Sequence, residues 1–279
     1  MSMNQARRPK YVIYLLLVML LVLAAYPMIF MVANALKNGD QYTVNPFSFG
    51  VAPPFGQFFV LAWEYLEASF FRTFLIIALS LVGVIGFGML SAYAFARLKF
   101  YGKAFLFYAI FGLLLVPGFL TLIPLFLQIK NMGLLDSDWA LILPYIAGGQ
   151  AFAIFVFRTF VQGIPNELFE SARLDGANDF QIFQRIVVPL SVPIMITIGL
   201  LNITAIYGDY VWPSLVLAPS QSTVAMAIAN FVPPPAIVSV NVVNMQFAAY
   251  TLAAVPMVLL FLFFMRYFVA GLTSGAIKM

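Results

Sequence analysis

The chain has 279 residues, of which 63% are hydrophobic and 9% charged, with a mean hydropathy of +1.00 and a formal net charge of +4. A water-soluble domain carries roughly 25% charged residues, so this composition excludes a soluble globule and requires apolar surface to face lipid. Cysteine and histidine are absent, which excludes disulfides, thiolate or imidazole metal sites, and any mechanism needing a Cys nucleophile or a His base.

A bilayer-spanning helix needs about 20 mostly apolar residues. Six segments meet that requirement: Tyr11–Val32, Thr73–Ala96, Ala104–Leu127, Trp139–Phe157, Leu190–Trp212 and Phe247–Met265. The pattern predicts an all-α polytopic membrane protein with six transmembrane helices. Arg7, Arg8 and Lys10 precede the first segment as they would a signal peptide. Its apolar run exceeds the roughly 7–15 residues of a signal core and no small-residue cleavage site follows, so it reads as a retained helix.

Loop charge sets orientation, because Lys and Arg stay on the cytoplasmic side. With the N-terminus inside, Arg7, Arg8, Lys10, Arg97, Lys99, Lys103, Arg158, Arg173, Arg185, Arg266 and Lys278 are inner and Lys37, Arg72 and Lys130 are outer. That places eleven of the 14 cations inside and predicts both termini in the cytoplasm. Outer segments 33–72 and 213–246 are long. The second is uncharged and holds Pro233, Pro234 and Pro235, which stiffen the chain toward an extended form. It reads either as a partner contact or as a cap over the helices. Within the spans the main polar residues are Gln150, Asn202, Thr204 and Asp209. An ionisable group at membrane depth marks a functional site by default; the alternative for Asp209 is a carboxylate reaching interfacial water.

The loop between the fourth and fifth spans, residues 163–189, is the most informative stretch. Pro165-Asn166 starts a helix and Glu167 suits its first turn. Asp175-Gly176 ends it, since Gly takes the left-handed conformation cheaply. Asn178 caps a second short helix with Phe180, Phe183 and Val187 on one side and Gln181, Gln184 and Arg185 on another, and Pro189 marks the change into the next span. Such a hook suits docking into a groove of a soluble partner or lying on lipid headgroups. Its acidic residues Glu167, Glu170, Asp175 and Asp179 suit anionic headgroups poorly.

This loop resembles the cytoplasmic signature of the membrane subunits of bacterial ATP-binding-cassette importers, which reads Glu-Ala-Ala, three residues, Gly, nine residues, Ile-x-Leu-Pro. Glu170, Ala172, Gly176, Ile186 and Pro189 match it with the gap 177–185 intact; Ser171 and Val188 depart from it by small or apolar replacements. Asp175-Gly176-Ala177 is the form of the sugar-transporting branch. Ser91-Ala92-Tyr93-Ala94-Phe95-Ala96-Arg97 and the tail from Arg266 to Lys278 resemble the maltose-transporter-type permeases, of the MalG kind. The resemblance covers essentially the whole chain and implies one type I importer permease domain over residues 1–279.

The resemblance further implies that 163–189 is a coupling loop docking on a separate ATPase dimer through Glu170, Ser171, Ala172, Asp175, Gly176 and Ala177, with Gly275 and Lys278 of the tail also reaching it. It implies a second permease subunit, an extracytoplasmic solute-binding protein touched by Pro233, Pro234 and Pro235, and a sugar moved by alternating access across the inner membrane. It implies no cofactor and no catalytic residue; the chain lacks the GxxxxGK[ST] phosphate loop of an ATPase. Gln150, Asn202 and Asp209 are the substrate-path candidates. The competing readings are a permease for a non-sugar solute, a carrier or channel working alone, and an intramembrane enzyme. The missing inverted repeat argues against the second, and the missing nucleophile–base pair against the third.

Overall fold

A computed structural model describes residues 10–51, 53–232 and 242–276. All regular structure among them is helical: α1 (Lys10–Ala35), α2 (Gly39–Val44), α3 (Gln57–Arg97), α4 (Lys103–Gly112), α5 (Gly118–Asn131), α6 (Trp139–Gln162), α7 (Asn166–Leu174), α8 (Asp179–Ile182), α9 (Val188–Gly208), α10 (Val211–Val216), α11 (Val224–Ala229) and α12 (Val242–Ala276). Five of these helices, α9 counted together with α8, are long and apolar enough to cross a bilayer singly.

The third apolar segment differs from its expected single span. It forms α4 with a short 3-10 turn, Leu113–Leu115, followed by α5 at a bend of 103°. Pro117 has no N–H and disfavours a helical Val116, and Val116 is extended at ψ 115. The second and sixth spans are longer than expected. Much of the outer segment 33–72 is taken up by α2 and the first turns of α3, and the C-terminal tail continues α12.

The chain separates into two compact units, residues 1–67 with 230–256, and residues 68–229 with 257–279. In the first, Lys37 is buried rather than displayed in a loop. Its ammonium donates to Asn34 Oδ1 at 2.9 Å, to the Asn45 carbonyl at 3.1 Å and to the Pro46 carbonyl at 3.2 Å. Three acceptors match its three protons, while burial still lowers its pKa. Asn244 ties the same corner to α12 by donating to the carbonyls of Asn34 and Lys37.

In the second unit the core lies where α3, α6 and α9 meet the loop 163–189, and includes Val84, Met89, Phe157, Phe169, Ile182, Val187 and Ile198. Lipid offers no hydrophobic drive for helices to associate, so close packing of small residues must supply it. Gly83 and Gly149 do this between α3 and α6. A Cβ at Gly83 would lie 2.5 Å from Ile146 Cδ1, and one at Gly149 2.8 Å from Val84 Cγ2. Overpacking a fitted interface costs about 1–3 kcal/mol. Gly83→Leu should therefore lower the thermal stability of the detergent-solubilised protein, with Gly83→Leu/Ile146→Ala recovering part of the loss; heating followed by size-exclusion detection measures both.

Candidate functional site

The loop 163–189 is a rigid hook, and its rigidity can be traced residue by residue. α7 begins after Pro165 and carries Glu167 in its first turn and Arg173 in its last, both favourable to the helix dipole. It ends in a Schellman motif. Gly176 sits at φ +82, its N–H donating to the Arg173 carbonyl at 3.1 Å, while the Ala177 N–H donates to the Ala172 carbonyl at 2.9 Å. This pattern takes a left-handed residue at low cost only when it is glycine. Ala172 and Ala177 both pack on the core beneath. Asn178 then starts α8 through a capping box, accepting from the Gln181 N–H while its own N–H donates to Gln181 Oε1, both at 2.9 Å.

The second half of the hook departs from the expected face. Ile182 and Val187 are buried and Phe183 is partly buried, but Phe180 is 67% exposed. Residues Phe183–Val187 form a π turn that runs directly into α9. Its i→i+5 pattern brings residues five apart onto one face, which is why Ile182 and Val187 both point inward. Pro189 therefore does not separate hook from span. It lacks the N–H that an α-helical bond to Arg185 would need and crowds that carbonyl, and the wider turn accommodates it.

Arg97, the last residue of α3, clamps the corner between α6 and α7. Its guanidinium donates to the carbonyls of Val161, at 2.7 Å, and Ile164, and to Asn166 Oδ1. It also lies 4.0 Å above the centre of the buried Phe169 ring. The carbonyls at the end of a helix have no partner within it. A planar, fork-shaped cation is suited to collecting them, and a cation over an aromatic face adds its own attraction. Tyr93, one turn earlier, donates to Asp179 Oδ1 at 3.3 Å, and Arg173 pairs with the same oxygen at 3.4 Å. The Arg173–Asp179 pair is about half exposed and contributes little. Sequence reasoning noted Tyr93 and Arg97 as part of a resemblance without giving them a task; the signal available was a lone arginine closing a long apolar run.

The exposed surface of the hook carries Glu167, Glu170, Ser171, Asp175 and Gly176, with Leu168, Leu174 and Phe180 as apolar projections. The predicted docking residues thus fall together, apart from Ala172 and Ala177, which are half-buried. Gly275 lies within α12. Lys278, Pro233, Pro234 and Pro235 lie outside the described residues.

At the ends of α6 and α9 remote from the hook is an open cleft of about 360 Å³. Of the three substrate-path candidates, Asn202 and Asp209 line it. Gln150 does not, since it turns toward α3 and donates to the Gly83 carbonyl at 3.2 Å. Tyr145 and Phe152, both unmarked in the sequence reading, also line the cleft, and Tyr145 donates to Asp209 Oδ2 at 2.9 Å. Thr204 bonds back to its own helix at the Leu200 carbonyl.

Residues 84–274 match the family model described as binding-protein-dependent transport system inner membrane component. The chain belongs to this family. It is 31% identical over 281 residues to the probable ABC transporter permease protein YurM of Bacillus subtilis, spanning 99% of this chain and 92% of that one. It is 30% identical to the maltodextrin transport system permease protein MdxG of the same organism, over 95% of each chain. Identity is 34% to the melibiose/raffinose/stachyose import permease protein MelC, also of B. subtilis, over 78% of this chain and 79% of that one. A bacterial ABC transporter involved in the import of the acidic polysaccharide alginate shares the fold, with a TM-score of 0.84 at 20% identity over 96% of this chain and 99% of that one. The family indicated by the loop signature is the family found.

Replacing Arg97 by Ala should loosen the hook. Amide exchange across residues 163–182 is expected to rise at least about tenfold, matching the loss of one partly buried charge-assisted network. Arg97→Lys should restore little of it, because a compact ammonium lacks the planar fork that reaches these acceptors while lying over the Phe169 ring; Tyr93→Phe should have the smaller effect.

Proposed function

We propose that this chain is the permease subunit of an ATP-binding-cassette importer that moves a carbohydrate across the inner membrane by alternating access. Residues 1–279 work as one permease domain with both termini in the cytoplasm. Partner subunits are a second permease, an ATPase dimer and an extracytoplasmic binding protein. Family membership supports the transport role. The relatives whose names state a cargo, such as maltodextrin or melibiose, raffinose and stachyose, support a sugar.

The observation that carries the reading is the form of the hook. It is clamped to α3 and continuous with α9, and it presents an acidic rim around exposed Leu168, Leu174 and Phe180. A push on such a hook travels into the spans instead of being absorbed by a slack loop. Exposed apolar groups beside carboxylates fit a protein groove with cationic edges better than an anionic lipid surface. Glu170, Ser171, Asp175 and Gly176 form the contact, with Ala172 and Ala177 seating it from below; Gly275 and Lys278 of the tail add to it. The outer segment with Pro233, Pro234 and Pro235 meets the binding protein. Hydrolysis occurs on the ATPase, and its closure moves the hook.

Gly176→Asp and Glu170→Lys should each leave the permease at normal levels in the membrane and abolish uptake. The first adds a side chain at positive φ on the docking surface and the second reverses a contact charge. Radiolabelled sugar uptake alongside quantitative membrane blots tests this; full uptake in both variants would overturn the role of the hook.

A further inference from the structure

The cleft between α6 and α9 offers a carboxylate and other acceptors with no cationic side chain among its lining residues. Asp209, immediately after the last turn of α9, is held on both sides. Its Oδ2 accepts from Tyr145 OH at 2.9 Å, and its Oδ1 accepts from the Trp212 N–H at 3.3 Å. Trp212 is itself buried and anchored by its indole N–H to the Ala140 carbonyl at 3.0 Å. The carboxylate is therefore not free to swing out to bulk water, yet it uses only two of its roughly four acceptor positions. Tyr145 spends its proton on Asp209 and keeps only acceptor capacity toward the cleft. Asn202 spends one amide hydrogen on the Ile198 carbonyl at 2.9 Å, which leaves its second N–H and its Oδ1. Among the described side chains lining the cleft there is no Lys or Arg, and the ion pairs seen among the described residues, Arg72–Asp138 and Arg173–Asp179, are elsewhere. Phe152 supplies an apolar wall, and a Cβ at Gly148 would meet nothing within 4 Å, so the floor there is open.

We infer that this cleft is a charge filter on the solute path. It accepts neutral, hydroxyl-rich solutes and rejects carboxylated or phosphorylated ones, and Asp209 is the specificity-determining group. The inference rests on the transport reading above and deepens it. Hydroxyl groups donate to Asp209, Tyr145 and Asn202, and the C–H face of a sugar ring lies on Phe152. An anionic solute keeps its remaining hydroxyl donors, but the uncompensated carboxylate repels its charged group between apolar walls that focus the field.

The absence of native cysteine in this chain allows a direct test. Ala205 also lines the cleft, and the Ala205→Cys variant is studied in the assembled importer in lipid nanodiscs. Modification of the introduced thiol by cationic ethyltrimethylammonium and anionic ethylsulfonate methanethiosulfonates is followed by mass spectrometry of this chain. After normalising to free cysteine, the cationic reagent should react roughly tenfold faster. Asp209→Asn removes the charge while its amide oxygen still accepts from the Trp212 N–H and its NH2 donates to the Tyr145 hydroxyl instead, and it should bring the ratio close to that of free cysteine. Equal normalised rates in the Ala205→Cys parent, a preference that survives Asp209→Asn, or failure of both reagents to reach the introduced thiol would each overturn the filter. The native, cysteine-free importer is reconstituted separately in proteoliposomes, which enclose a lumen, and assayed for ATP- and binding-protein-dependent sugar uptake. Uptake without the charge preference removes the filter and leaves the transport reading standing, whereas no uptake by the otherwise unaltered importer overturns the transport reading.

Discussion

A helix that ends abruptly leaves carbonyls without partners, and in this protein the arginine closing one long helix collects those at the end of another. Arg97 bonds the carbonyls of Val161 and Ile164 where α6 stops, reaches Asn166 where α7 starts, and covers Phe169. Without such a partner the corner between span and hook would have to splay toward water. With it, the chain reverses tightly and α7 lies against the core on Phe169 and Ala172. The remainder of the hook depends on that placement. The Schellman turn at Gly176 and the capping box at Asn178 shape the loop locally, but Arg97 fixes where it sits.

The spans above the hook follow a different rule. Two oily helices gain little from meeting in lipid, so their contact rests on how closely their backbones approach. Gly83 and Gly149 remove the side chains that would hold α3 and α6 apart. The same glycine-rich stretch of α6 opens the cleft at Gly148. The sequence Gly148-Gly149 thus serves both packing against α3 and space beside α9. The polar groups in this region are sparse, and several are bonded through one atom only, the buried Gln150 Oε1 having no partner among the described residues. Gln150 meets a carbonyl of α3, Asn202 one of its own helix, and Asp209 the hydroxyl of Tyr145. What lines the cleft is a carboxylate with other polar groups and no cation, and that charge sets its chemistry.

Several features were legible from the amino-acid sequence alone because they depend on local or compositional physics. The membrane location follows from hydropathy, the α7 stop from Asp175-Gly176, the cap from Asn178, and the family from the spacing between Glu170, Gly176 and Pro189. Each is a property of a short window or of the chain as a whole. Pro117 also stood in plain sight, yet its effect was missed. The hydropathy of 104–127 is uninterrupted, whereas the 103° bend is a backbone event that hydropathy does not register.

Tertiary structure decided the rest, because it concerns which groups meet across distant parts of the chain. Nothing near Lys37 in sequence shows that its ammonium is buried on the carbonyls of Asn45 and Pro46. The sequence groups Phe180 with Phe183 and Val187 on one side, whereas with the π turn before Pro189 the buried face is Ile182 and Val187. Gln150 and Asp209 looked alike as polar residues in apolar spans, but one is spent on a neighbouring backbone and the other lines a cleft. The sequence by itself determined that the chain crosses a membrane and carries a hook. Only the packing of α3, α6 and α9 decided how the hook is held and which polar groups line the cleft, since both rest on contacts between residues more than sixty positions apart.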